Sequence, residues 1–195
     1  MIRLGWMTMG VSALAQQHTV AHQWNDQILE AIRNDFARPT VHARNLYHAS
    51  ILMYDSWAAF DTTQSQAIFL GQEFDGYLCP FDEAALEIPA DLAARKEAQE
   101  IAMSYASYRL IRHRYQASPQ AESTMANIYV QMIIRELDTS FTSTDYATHG
   151  APALGNYLAE QLIAYGMSDG SNEASDYANT CYEQLEPNII PEVPG

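Results

Sequence analysis

WNDQILEAIRNDFARPTVHARNLYHASILMYDSWAAFD, residues Trp24 to Asp61, is the stretch whose reading decides the fold. It reads as two helices hinged at Arg38-Pro39-Thr40. In the first, Trp24, Ile28, Ile32 and Phe36 recur every four residues and so share one face. Proline has no N–H for a helical ladder, and its ring pushes the preceding residue out of the helical region. The first helix is therefore expected to stop at about Arg38. Thr40 suits the N-cap of a second helix that reaches about Phe60. The two together are the expected central hairpin.

At 100° per residue, Leu46, Ala49, Met53, Tyr54, Trp57 and Phe60 fall on one half of the second helix, the predicted core face. Arg44, His48 and Asp55 converge on a narrow arc of the other half, beside Ile51 and Leu52. Apolar residues on nearly every side predict a helix buried between neighbours. A buried charged arc then needs partners, because unpaired burial costs several kcal/mol. The competing reading is an arc that faces water, since charged residues are almost never buried unpaired. The residues alone leave both open, and Arg44, His48 and Asp55 stand as the candidate buried polar network.

These same residues carry a resemblance. Trp24 to Asp61 resembles the opening helical hairpin of bacterial proteins related to vanadium-dependent haloperoxidases, which are in turn similar to the acid-phosphatase (PAP2) superfamily. A second stretch, ALGNYLAEQLIAYGMSDGSNEASDYANTCYEQLEPNIIPEVPG (Ala153 to Gly195), is similar to a later part of the same N-terminal half. The resemblance implies a helical scaffold whose vanadate site, the family's cofactor site, belongs to a C-terminal catalytic half or companion chain. Family members hold the oxyanion with a Lys…Arg-Pro segment, a Ser-Gly-His segment and a distant Arg…His segment. None maps here. Ala31 stands seven residues before Arg38-Pro39, where lysine is wanted. Lys96 is followed at that spacing by Met103, and Thr148-His149-Gly150 has the wrong order. No catalytic, cofactor-binding or metal residue is assigned, and the chain alone is expected to be inactive. The alternative class is a helical binding or assembly module that packs against a partner chain.

The composition fits one globular domain: 195 residues, 48% hydrophobic and 11% aromatic, with twelve tyrosines. Ten Lys+Arg against 24 Asp+Glu give a net charge of −14, a surface that repels phosphate backbones and anionic membranes. Nucleic acid is thereby excluded as the expected partner. Arg3 precedes an apolar run from Leu4 to Ala15 that is too short to span a bilayer. It ends in Ala13-Leu14-Ala15, the small-x-small form of a cleavage site, so residues 1–15 are read as a signal peptide and the protein as exported. No other stretch is apolar enough for a membrane span. Residues 16–185 form the expected helical domain, and 186–195, rich in proline, an extended tail or connector. Cys79 and Cys181 lie about a hundred residues apart. Spacing leaves their pairing open, and no Cys/His cluster suggests zinc.

The expected fold is all-α, a bundle of at least five helices. A long ordered loop at about 62–90 carries the aromatics Phe69, Phe74, Tyr77 and Phe81, with a short strand or turn near 67–70. Asp91 caps a third helix with Ile101, Tyr105, Tyr108, Ile111 and Tyr115 on one face. Arg109, Arg112, His113 and Arg114 gather at its end, read as a solvated helix terminus with an anion site as the rival. Ser118-Pro119 opens a fourth helix that carries Met125, Ile128, Met132 and Ile133 and ends near Leu137. A fifth, from about Pro152 to Tyr165, turns Leu154, Leu158 and Leu162 inward. Asp169 to Glu173 lacks the acid spacing of an EF-hand and reads as a turn. His18 and His22 are spaced i, i+4 without the Glu of a zinc protease. An independent metal or hydrolytic enzyme finds no supporting motif.

Overall fold

The Asp91 carboxylate accepts the Ala94 N–H at 2.9 Å and opens the helix on which the others are hung. A computed structural model describes residues 18–63 and 65–180 of the protein. The expected signal peptide, Cys181 and the 186–195 tail lie outside the described residues. Within them the protein is an all-α bundle of five helices with one small hairpin. In order these are α1 (Val20–Arg33), α2 (Pro39–Ala58), β1 (Glu73–Phe74), β2 (Tyr77–Leu78), α3 (Leu92–Tyr115), α4 (Ala121–Ile133) and α5 (Tyr146–Gly166).

The central element is α3, not the α1–α2 hairpin expected. It packs against all four other helices, most extensively α5, while α1 and α2 touch each other little. Ala102, Ala106, Leu110, Ile111 and Tyr115 are sealed, so α3 is core over more than one face. Small residues let α5 come close: a Cβ added at Gly155 would run into the Ala102 carbonyl and lie 2.7 Å from Tyr105 Cβ. Leu154, Leu158 and Leu162 are fully buried, as their spacing predicts.

The predicted helix boundaries shift for local reasons. Helix α1 ends at Arg33, and Asn34 turns aside so that its carbonyl accepts from Gln120 N and its side chain donates to Thr124 Oγ1. Trp24 and Ile28 are buried as expected, but Phe36 lies past the helix end and is 51% exposed. Arg38, not Thr40, occupies the N-cap of α2, with Pro39 at the first helical position, where its missing N–H costs nothing. Helix α4 starts at Ala121, beyond Ser118-Pro119. It stops at Ile133 because Glu136 adopts left-handed backbone (φ 58°) and the Leu137 N–H closes on the Met132 carbonyl. Helix α5 begins at Tyr146, before the expected Pro152, capped by Asp145, and kinks at Gly150 (φ 57°) just before Pro152.

The 62–90 stretch turns at 68–71, where a strand or turn near 67–70 was expected, and then forms a hairpin at 73–78. Its turn is Asp75-Gly76, both with positive φ, the pair that a two-residue hairpin requires. The hairpin brings Phe74 and Tyr77 against Phe69 and Tyr165, with ring centroids 5.3–6.0 Å apart.

The core face expected on α2 holds only in part: Ala49 and Phe60 are buried and Leu46 and Met53 pack against the core, but the opposite arc is buried too. His48, Ile51, Leu52, Asp55 and Ser56 are buried, whereas Tyr54 is 37% and Trp57 38% exposed. The physical reason is that each polar residue of the arc meets a partner from elsewhere in the chain.

Candidate functional site

Helix α2 delivers Arg44 and His48 to the bundle end where α3 and α5 terminate, one turn apart on the same face. There α3 supplies His113 and Arg114, and the chain after α5 folds back to supply Asp169 and Glu173. Arg44 Nε donates to Asp169 Oδ2 at 2.6 Å, and its Nη2 donates to Glu173 Oε2 at 2.6 Å and to the Gly166 carbonyl at 3.0 Å. The other oxygen of Glu173 meets His113 Nε2 at 3.1 Å and Arg114 Nε at 3.5 Å. The side chains of Arg114, Glu173 and Asp169 are no more than 7% exposed. Gly166 makes the room: a Cβ there would lie 2.6 Å from Arg44 Nη2 and 2.9 Å from Glu173 Oε2.

His48 completes the cluster. Its Nδ1 accepts from Arg114 Nη2 at 2.7 Å, which puts the proton on Nε2. Nε2 lies 3.9 Å from Asp169 Oδ2, too long for a hydrogen bond. Burial, followed by the positive charges of Arg114 and Arg44, pushes His48 down to about pH 3. The imidazole is therefore neutral near pH 7 and serves as an acceptor for an arginine. Burial pushes Glu173 up, but the hydrogen bond from His113 and the charges of Arg114 and Arg44 outweigh it and hold the carboxyl at about 2. Asp169 is also lowered, its burial overcome by the bonds from Arg44 and Ser171.

Asp55 is buried as well, but it joins neither Arg44 nor His48. Its two oxygens accept the backbone N–H groups of Ile68, Phe69 and Leu70 at 2.7–2.8 Å, and so it fastens the 62–90 loop onto α2. Burial raises its pKa against the pull of those three donors. Of the three candidate residues, the structure thus brings Arg44 and His48 together and places Asp55 two turns further along α2.

The residues that the sequence reading passed over are His113, Arg114, Asp169 and Glu173. The solvated helix end expected at 109–114 holds for Arg112, which is exposed, and is corrected for the others: the Arg114 side chain is fully buried, and Arg109 is clamped by Asn156 and by the carbonyls of Thr139 and Phe141. The 169–173 turn is an ion-pairing loop whose acids point inward, because two buried guanidinium groups await them. The available signal was two acids spaced i, i+4 just after a helix, in a chain with few cations to pair with them.

Two guanidinium groups and two carboxylates cancel in charge, and the intervening imidazole is neutral. A nucleophile with an adjacent base, or a cage of unpaired cations for an oxyanion, would need a different balance. The cluster's chemistry is fastening: it ties the chain after α5 to the first half of α2 and the end of α3. Buried donors without a hydrogen bond remain at Arg44 Nη1, Arg114 Nη1 and Arg114 Nε. Among the described residues, no three His, Cys, Asp or Glu side chains gather as metal ligands, and His18 and His22 simply stack at 4.1 Å. Among the described residues, no helix is long and apolar enough to cross a membrane. No family model, curated protein or solved structure matches this chain.

Proposed function

We propose that this protein is a helical scaffold that offers a packing surface to a companion part. By its sequence resemblance, that part is the catalytic half or companion chain of a vanadium-haloperoxidase-like or acid-phosphatase-like protein. The observation that carries the packing role is an apolar surface at the end of the bundle opposite the ion cluster. There the beginnings of α1 and α3 meet the ends of α2 and α4. A groove of about 610 Å³ lined by Val20, Met53, Tyr54, Trp57, Leu92 and Met103 opens there. Within that lining Leu92 is 76% exposed, Trp57 38% and Tyr54 37%. Contiguous exposed apolar area of this kind marks a contact surface. The kinship with haloperoxidases rests on the two sequence stretches, Trp24–Asp61 and Ala153–Gly195, and on their order.

The occupant of the groove in this reading is a chain that bears the missing Lys…Arg-Pro, Ser-Gly-His and Arg…His segments. Those segments would supply the vanadate or phosphate site, and this chain would supply the wall against which they fold. The test is purified protein with vanadate, peroxide and bromide, read by halogenation of a dye, beside a phosphate-ester assay. No turnover is expected from the chain alone. Turnover is expected when a companion with those segments is added, and Trp57 fluorescence should shift to the blue as its ring leaves water. Turnover by the isolated chain that is lost on mutating Arg44 or His48 would overturn the reading. A blue shift with a companion that lacks the segments, without turnover, would favour the plain assembly module instead.

A further inference from the structure

Beside the ion cluster, on the outer side of α3, lies a second and very different set of cations. Arg109, Arg112, His113 and Gln116 stand at i, i+3, i+4 and i+7, so they line one wall of a cleft. Asn156, Glu160 and Ile163 line the facing wall on α5. Thr142 and Thr144, from the loop before α5, close the cleft to a volume of about 370 Å³.

The two arginines here are not paired with acids. Arg109 Nε donates to Asn156 Oδ1 at 2.9 Å and its Nη2 to the carbonyls of Thr139 and Phe141, and among the described residues no carboxylate is within ion-pair distance. These bonds fix the plane of the guanidinium and leave Nη1 free of any protein partner among the described residues. One turn on, Arg112 is exposed, and its side chain makes no hydrogen bond or ion pair among the described residues. Asn156 is itself held by the carbonyls of Phe141 and Ser143, both at 3.1 Å, so the clamp on Arg109 is rigid. Arg95 and Arg135 also lack a carboxylate, but their guanidinium groups are taken up by carbonyl, hydroxyl and amide oxygens, whereas the Arg112 side chain has no protein partner among the described residues.

We propose that the cleft binds a small oxyanion, a phosphate or carboxylate group, between the preorganised Arg109 and the free Arg112. Guanidinium groups match such oxygens in pairs of parallel hydrogen bonds. The Thr142 and Thr144 hydroxyls and the Gln116 amide, none of which has a side-chain partner among the described residues, supply further polar contacts. Two terms oppose the anion: Glu160 across the cleft, and the negative end of the α3 dipole. The dipole amounts to about half a charge, against two full positive charges. Glu160 adds one full negative charge, and with the dipole it still falls short of the two guanidinium charges, so it tempers affinity without abolishing it. His113 faces the cleft and also bonds Glu173, so the anion would sit one side chain away from the ion cluster.

The test is calorimetric titration of the full chain with inorganic phosphate and, separately, with acetate, at ionic strength held constant with sodium chloride. Saturable binding is expected for at least one of the two, and the tighter of them assigns the headgroup. Arg112→Gln, at an exposed position, should weaken it about tenfold or more, since it removes a charge-assisted hydrogen-bond pair. Glu160→Gln should strengthen it several-fold, and Arg33→Gln, at the exposed end of α1, should leave it unchanged. Unfolding midpoints of the three variants within a degree of the parent show that the fold is intact. Neither anion binding below about 10 mM, a range where specific contacts of this kind should register, would overturn the proposal. So would binding that Arg112→Gln leaves untouched.

Discussion

The two ends of the bundle solve opposite problems. At one, α2 begins and α3 and α5 finish, and six ionisable side chains are packed out of water on one another. At the other, α2 finishes and α3 begins, and Tyr54, Trp57 and Leu92 are left in solvent. One helix, α2, runs between them and carries Arg44 and His48 near one terminus and Trp57 near the other. The difference teaches that polarity alone does not set burial. A charge goes inside when its partner is supplied, and an aromatic ring stays at the surface when nothing in the described fold covers it.

If the charged end holds the fold, its loss should dominate a mutational series. Glu173→Ala strips the carboxylate from Arg44, Arg114 and His113 at once and leaves buried cations uncompensated. A loss of about 3–5 kcal/mol in urea denaturation is expected. The same end should make the protein acid-sensitive. His48, held at about 3 when folded against an ordinary 6.5, takes up a proton more readily when unfolded, so stability falls as pH drops below about 6.5. Glu173, held at about 2 against 4.5, contributes stability that is complete above 4.5 and is lost as pH falls towards 2. The Glu173 contribution alone is on the order of 3 kcal/mol. Denaturation midpoints measured from pH 7.5 to 3 should decline throughout, and Glu173→Gln should flatten the lower part of the curve.

A smaller effect is expected between the ends. Gly155→Ala drives a methyl group into the α3 backbone at Ala102 and should cost roughly 1–3 kcal/mol, read from the thermal midpoint. The smallest belongs to the apolar end. Trp57→Ala, at a ring 38% exposed, should cost about 1–2 kcal/mol, well under the 3–5 kcal/mol typical of a sealed tryptophan. A cost in that upper range would mean that the ring is covered in solution, and would itself point to self-association.

The same comparison explains what the sequence could disclose. Periodicity exposed the Leu154–Leu158–Leu162 stripe and the Trp24–Ile28 face, because those residues answer only to apolar neighbours. The Asp91 cap was legible because its partner is three residues away. Arg44 was not, because the acids that draw it inward lie 125 and 129 residues downstream. A wheel gives the direction of a side chain but nothing about such partners, and so it put Trp57 in the core and the charged arc in doubt. The hairpin is another case: Asp75-Gly76 between Phe74 and Tyr77 is a strong local signal, obscured by the surrounding glycines and prolines. Asp55 shows the limit most plainly, since its partners are backbone N–H groups that no side-chain pattern encodes.

The most direct test sets the two ends against each other in one experiment. Equilibrium urea denaturation would be run side by side on Glu173→Ala and on the double variant Tyr54→Ser/Trp57→Ser. The expected result is that Glu173→Ala loses at least about 2 kcal/mol more stability than the double variant, with the same urea dependence in both. A double variant that loses as much as Glu173→Ala, or more, would place the fold's stability at the apolar end and contradict the division of labour argued here.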